Sequence, residues 1–316
     1  MKTIDIVVPC YNESPCITLL YTEIEKALST LKGSIFWRII YVDDGSKDHT
    51  LDRIKELIQE KGDNFVKYIS FSRNFGKEAA IYAGLSYSEA EYVVLMDADL
   101  QHPPSFIPQM LAKLEEGYDC CGARRVSRKG EPKVRSLFSR FFYRAMKWLT
   151  GLEMTPGGSD FRMMKRQVVE TVVSMKESER FTKGIFSWVG FSTCWIEYEN
   201  VERAAGKSKW SFWSLSRYAV NGLIAFATTP LRAAIWLGLM IDVVTVIYAI
   251  YFFLININRT EPRTGYATIV LLLMFFGGTI ILLLGVIGEY VARIYMESKD
   301  RPLFVMKESN VGKADK

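Results

Sequence analysis

Cysteine and histidine are scarce in this 316-residue chain, at five and two residues. The cysteines (Cys10, Cys16, Cys120, Cys121, Cys194) are odd in number, form no C-x-x-C pair and include two neighbours, which argues against a disulfide framework and a structural zinc site alike. A reducing compartment is expected. An excess of one charge is missing too: 40 Lys and Arg against 35 Asp and Glu leave +5, too little over this length to make nucleic acid a partner. No export signal is expected at the N-terminus, because the apolar run Ile4 to Val8 is interrupted by Asp5 and ended by Pro9. Internal repeats and low-complexity segments are absent. Long apolar runs are absent before about residue 218, so the first 200 residues read as a soluble α/β protein.

What is present after residue 218 is of another kind. Ala233 to Ile257 holds one charge, Asp242, and at ~1.5 Å per residue such a helix spans roughly 37 Å. Tyr266 to Ile287 holds none, and the residues between, NRTEPRTG, are turn formers. The pair is expected to form a transmembrane hairpin. Basic residues flank its outer ends (Lys207, Lys209, Arg217 and Arg232 before; Arg293, Lys299, Arg301 and Lys307 after), with only Arg259 and Arg263 in the loop, so both termini are expected to be cytoplasmic. Two basic amphipathic stretches precede it. Arg124 to Lys147 carries nine basic residues and one acid, with Phe138, Phe141 and Phe142 on the apolar face of a helix over about 134–150; Lys207 to Leu223 adds Trp210, Trp213 and Tyr218. Both suit a membrane interface; the first suits docking on the head as well. The expected organisation is a head over 1–205, a juxtamembrane segment over 206–230, two spans within 231–290 (about 233–257 and 266–287) and a tail over 291–316 whose polar residues from Lys307 on are expected to fray.

In the head, strand candidates (Asp5 to Val8, Arg38 to Val42, Val66 to Phe71, Tyr92 to Met96) alternate with helical patterns (Ile17 to Leu31, Thr50 to Glu60, Lys77 to Ser88). Such alternation predicts an α/β, doubly wound, largely parallel sheet. Ligands bind beyond the carboxyl ends of such strands. Three polar clusters follow strands there: PCYNE, DDGS and DADLQHPP.

Asp97 and Asp99, in an extended D-x-D, project to one side and suit Mg²⁺ or Mn²⁺, with Gln101 adjacent; the same residues suit a turn capping the next helix. Asp43 and Asp44 suit hydrogen bonds to a base edge and ribose, or a turn with Asp48 as cap. Tyr11 offers a stacking face and Glu13 an acceptor, in a segment that would equally serve as a helix cap. Arg73 and Lys77 surround Gly76 at a helix start, where amide dipoles favour a phosphate; plain surface charge is the alternative. Asp160 and Arg162 come from the glycine-rich GGSDFRMM, where Asp160 is as well placed to cap a helix as to catalyse.

The ordered series PCYNE, VDDGSKD, SFSRNFGKEAA, LMDADLQHPP, GGSDFRMM, FTKGIFSWVGF, RAAGKSKW and LGVIGEYVARIYMESKDRP resembles the polyisoprenyl-phosphate glycosyltransferases of glycosyltransferase family two, of the bactoprenol glucosyltransferase (GtrB) type, from Ile4 to about Pro302. Dolichyl-phosphate mannose synthases and ArnC are relatives. The resemblance implies a GT-A head that transfers a sugar, glucose before N-acetylhexosamine, from a UDP-sugar to polyprenyl (undecaprenyl) phosphate with inversion. It implies nucleotide contacts from Tyr11, Glu13, Asp43, Asp44 and Lys77, a Mg²⁺ or Mn²⁺ on Asp97, Asp99 and Gln101, and a catalytic carboxylate at Asp160 beside Asp99. Arg124, Arg203 and Lys209 would meet acceptor or donor phosphates. A bacterial plasma-membrane location, cell-surface glycan modification and a homo-tetramer follow from the same likeness. His102, where relatives often carry Asp, and Ser159 depart from the pattern. A processive glycan synthase would need more spans and a Q-x-x-R-W motif, which no glutamine here begins; a transporter would need more than Asp242 in its path; an inactive adaptor would not need the acidic set.

Overall fold

The computed structural model describes residues 1–126, 144–199, 229–256 and 265–312. The chain divides into two compact units, Met1–Ala225 with Pro302–Lys316, and Phe226–Arg301.

The first unit is built on one eight-stranded sheet. Its parallel centre comprises β1 (Lys2–Cys10), β2 (Ile35–Asp43), β3 (Val66–Phe71) and β4 (Tyr92–Leu95). The connecting helices are α1 (Ile17–Leu28), α2 (Thr50–Lys61) and α3 (Lys77–Tyr87), with α4 (Ile107–Glu115) after β4. These strands are buried on both faces, which explains their near-continuous Val and Ile. α1, α2 and α4 cover one face; α3 covers the other, against Ile40, Val42, Ile69 and Phe71. Gly84 lets α3 approach β1 closely, since a Cβ there would meet Val7 at 2.2 Å. One buried acid is structural: Asp5 is 1% exposed and takes a bidentate pair from Arg38, its register partner on β2, at 2.6 and 3.1 Å. It also accepts from the amides of Glu89 and Ala90.

The expected strands and helices are present, and the sheet extends further than the alternation predicts. β5 (Cys120–Arg125), β6 (Gly158–Lys165) and β7 (Thr193–Tyr198) continue it beyond β4, with α5 (Arg166–Ser174) and α6 (Thr182–Trp188) between β6 and β7. β6 runs antiparallel to both β4 and β5, giving the order β7-β5-β6-β4-β1-β2-β3-β8. The eighth strand corrects the expected frayed tail. β8 (Met306–Ser309) pairs antiparallel with β3, Phe304 stacks on Phe71 at 4.8 Å, and Lys55 binds Glu308 at 2.7 Å. Asn310 accepts the Tyr68 amide at 2.6 Å. A polar sequence here caps an exposed sheet edge, whose open backbone groups would otherwise need water or another chain.

The second unit is a helical pair, α7 (Thr229–Asn256) and α8 (Tyr266–Ser298). α8 runs past the expected end at residue 287 because nothing between Gly288 and Ser298 breaks a helix. Its Leu272–Ser298 stretch is long and apolar enough to cross a membrane, with a mean hydropathy of 2.1 over its most apolar 18 residues; the apolar stretch of α7 is shorter, Ala233–Tyr248. The Asp242 side chain lies outside the described residues, as do residues 127–143 of the first basic stretch and the whole of the second. Residues 144–150 of the first stretch are helical.

Candidate active site

Because β1, β2 and β4 are parallel, their carboxyl ends at Cys10, Asp43 and Leu95 open on one edge of the sheet. β6 arrives at this edge in the opposite sense, with Arg162 opposite Leu95. Continuing that register by two residues on each strand sets Asp160 level with Asp97 on the same face. A cavity of about 300 Å³ occupies the edge, and Tyr11, Glu13, Asp44, Lys77, Asp97 and Asp99 line it.

The loops that carry the first of these are stapled together. Asn12, at φ 53°, donates its amide to Ser46 Oγ at 2.9 Å and accepts from the Lys47 amide at 2.8 Å. The Glu13 amide donates to Thr50 Oγ1, and Asp48 caps α2 through the Thr50 amide at 3.0 Å. The turn reading of DDGSKD is therefore correct for Ser46 and Asp48. Gly45, at φ +66°, is pressed against Arg73, where a Cβ would sit 2.5 Å from the carbonyl carbon. Asp44 accepts from the amides of Phe75 and Gly76 at 2.6 and 2.9 Å, which fixes the loop ahead of α3. Burial raises the Asp44 pKa to about 6 against the pull of those amides.

The charges converge at Lys77. Its Nζ lies 2.6 Å from Asp97 Oδ1 and 2.7 Å from Asp160 Oδ2, and Lys183 reaches Asp160 Oδ1 at 3.7 Å. Burial works against the Lys77 charge, but Asp160 and Asp97 outweigh it and raise its pKa. Burial likewise opposes ionisation of Asp160, and the charges of Lys183, Lys77 and Arg162 overcome it, holding the carboxyl well below the usual range. Asp160 lies within β6 and caps no helix.

The remaining sequence-predicted residues fare differently. Asp43 does not line the cavity: it is 2% exposed and accepts from Ser70 Oγ at 2.8 Å and the Ser46 amide at 3.0 Å, so it braces the β2–β3 edge. Gln101 donates its amide to Asp99 at 3.2 Å and is outside the lining. Arg124 pairs with Glu197 on β7 at 3.8 Å. Arg203 and Lys209 lie outside the described residues. His102 is a core residue, flanked by Phe161 and Tyr198 rings at 5.6 and 5.7 Å, and burial lowers its pKa. Sequence reasoning singled out Arg162 but passed over Lys183 and Trp195, which meet it beside Asp160. FTKGIFSWVGF contains Lys183, but its nearness to Asp160 is a product of strand order and has no local signature.

Residues 5–173 match the glycosyl transferase family 2 model, and residues 229–294 match the GtrB C-terminal hairpin. The chain belongs to glycosyltransferase family 2. This family 2 enzyme is 41% identical to CsbB of Bacillus subtilis (strain 168) over 99% of its own length and 93% of that protein. It is 34% identical to the SfII prophage-derived bactoprenol glucosyl transferase of Shigella flexneri, covering 98% of this chain and 99% of that one. A solved structure it resembles is glucosyl-3-phosphoglycerate synthase of Mycobacterium tuberculosis in complex with Mn²⁺, UDP-glucose and phosphoglyceric acid: 19% identity, TM-score 0.49, with 71% of this chain and 79% of that chain covered. The family 2 match thus falls within the first unit and the hairpin match within the second.

Proposed function

We propose that the enzyme transfers a hexose, with glucose the first choice and N-acetylhexosamine the second, from its UDP derivative to polyprenyl (undecaprenyl) phosphate with inversion at the anomeric carbon. The observation that carries this reading is the convergence of Asp97 and Asp160 on Lys77 at the edge of the cavity lined by Tyr11, Glu13, Asp44 and Asp99. The bactoprenol glucosyl transferases, similar over nearly the full length, support the acceptor and the sugar. The same reading sets the head and both termini in the cytoplasm, the hairpin in the bacterial plasma membrane, and the chain in a homo-oligomer.

The donor set fits a hard divalent cation. Asp97 already holds one cation, the Lys77 ammonium, and Asp99 presents a second carboxylate to the same cavity. No group of three or more His, Cys, Asp or Glu side chains gathers about one point among the described residues, so further oxygen ligands would come from the donor diphosphate and Gln101. A Mg²⁺ or Mn²⁺ held there would neutralise charge on the departing UDP. Tyr11, Glu13 and Asp44, which line the same cavity, would hold the nucleoside.

The acceptor is its own base. A phosphate monoester has a second pKa near 6 and is mostly a dianion at neutral pH, so its oxygen attacks without losing a proton to the protein. Asp160 suits this division of labour, because its flanking cations keep it ionised and make it a poor proton acceptor. Its carboxylate instead stabilises positive charge developing at the anomeric carbon, and Lys77 meets the leaving diphosphate.

The test is UDP release by the detergent-purified enzyme from a panel of UDP-sugars with Mg²⁺ or Mn²⁺, with and without undecaprenyl phosphate. One sugar turning over only with lipid and metal together is the expected result. Release that ignores the lipid, or none from any UDP-sugar, overturns the reading.

A further inference from the structure

A second cavity, of about 290 Å³, opens beside Asp160 on the Lys183 side. Arg162 from β6, Lys183 and Phe186 from α6, and Trp195 from β7 line it. None of them lines the donor cavity. Arg162 is 5% exposed, with its guanidinium 3.9 Å from the Phe186 ring centre and 6.0 Å from that of Trp195. Its Nη2 donates to the Ser159 carbonyl at 3.1 Å, while its Nε is buried with no hydrogen-bond partner among the described residues. A buried cation with an unused donor is costly unless an anion comes to it.

The aromatic wall is built by close approach. Trp195 lies across Gly122 and Gly158, where a Cβ would fall 2.6 and 2.9 Å from its indole. Neither glycine has a positive φ, so what they supply is room for the ring. Lys183 sits 3.7 Å from Asp160, too far for a hydrogen bond, and its side chain is 31% exposed. The acid on the rim, Glu153, is engaged by Lys147 at 2.5 Å. The cavity therefore offers two cations and an apolar wall, at the small end of ligand-pocket volumes.

We propose that this cavity binds a phosphate monoester, with Lys183 and Arg162 taking the phosphate and Trp195 with Phe186 covering its first apolar carbons. Resting on the reaction proposed above, it is the acceptor subsite. Asp160 then stands between the two substrates: Lys77 ties it to Asp97 on the donor side, and Lys183 faces it from the acceptor side. A lipid phosphate and free phosphate share the recognising chemistry, and the apolar wall favours the lipid.

The test is calorimetric binding of farnesyl phosphate, inorganic phosphate and farnesol to the full chain in detergent, for wild type, Lys183→Met and Lys183→Arg, with UDP binding as the control for folding. Farnesyl phosphate is expected to bind tightest, Lys183→Met to weaken it by about tenfold or more, and Lys183→Arg to restore most of the loss, since a charge-assisted contact is removed and returned. Lys183→Met binding farnesyl phosphate like wild type overturns the assignment. So does farnesol competing as well as farnesyl phosphate, inorganic phosphate binding equally tightly, or no binding to wild type. Should Lys183→Met lose UDP binding, the fluorescence difference between wild type and Trp195→Phe on adding farnesyl phosphate decides: quenching supports the site and its absence overturns it. The two readings fail separately. Sugar transfer by Lys183→Met with an unchanged KM for lipid removes the subsite and leaves the reaction; Lys183-dependent farnesyl phosphate binding without sugar transfer leaves the subsite and removes the reaction.

Discussion

Lys77 Nζ stands 2.7 Å from Asp160 Oδ2 while also touching Asp97 at 2.6 Å, so one ammonium closes the gap between the D-x-D and the DFR carboxylates. A cation of the protein's own thus occupies a carboxylate that a divalent ion would use.

That competition sets the first prediction. Lys77→Met should tighten Mn²⁺ binding in the absence of nucleotide by roughly three- to tenfold, because a cation no longer competes for Asp97. Turnover should fall by about a hundredfold or more, as the leaving diphosphate loses a charge partner. Electron paramagnetic resonance of free Mn²⁺ reads the first effect and UDP release the second; weaker Mn²⁺ binding would contradict the competition.

Asp160→Asn removes the partner shared by Lys77 and Lys183. Turnover should drop by about two to four orders of magnitude, with UDP binding retained. The Asp160 pKa is depressed in the folded state, so its stabilising contribution is present above the unfolded carboxylate pKa and is lost only as pH falls through the lower folded value. The wild-type rate should accordingly show no Asp160 titration near neutrality, measured as kcat against pH.

Asp44 behaves in the opposite sense. With a folded pKa raised to about 6, its protonated form stabilises the fold at low pH, and this stability is lost as pH rises through about 6. On the proposed role of the Asp44 carboxylate in holding the nucleoside, UDP affinity should weaken between pH 7 and pH 5 in wild type. Asp44→Asn should bind UDP weakly and without that slope. Titration of UDP at several pH values, with a melting curve at each, checks both signs.

The returning strand should matter to the head. Phe304→Ala removes the ring stacked on Phe71 and should cost about 1–2 kcal/mol. Thermal melting of the head, followed in detergent, should show a lower Tm with the hairpin helicity unchanged. An unaltered Tm would mean that β8 caps the edge without holding it.

Much of the head was legible from period and position. β1 to β4 and α1 to α3 fall where Val and Ile runs alternate with amphipathic stretches, because a parallel sheet buries both faces of its strands. Tyr11, Glu13, Asp44, Asp97 and Asp99 could be picked out as cavity residues because each follows the end of a parallel strand. Asp43 could not be told from Asp44 in this way: adjacent residues in an extended segment point to opposite faces, and only the fold shows which faces Ser70 and which the cavity. The polar string after Pro302 looked frayed because an edge strand needs no apolar pattern of its own; it takes its order from Phe71 and Tyr68 on the strand beside it.

By itself the sequence determined the class of the head, the apolar pair behind it and the acidic residues that follow the strands, since all three are carried by local periodicity and composition. Only the tertiary structure decided that Asp160 would meet Asp97, that Lys77 would lie between them, and that Gly122 and Gly158 would seat Trp195 beside Arg162. Those meetings depend on β6 entering antiparallel between β4 and β5, and strand order and sense are long-range properties that no window of residues encodes.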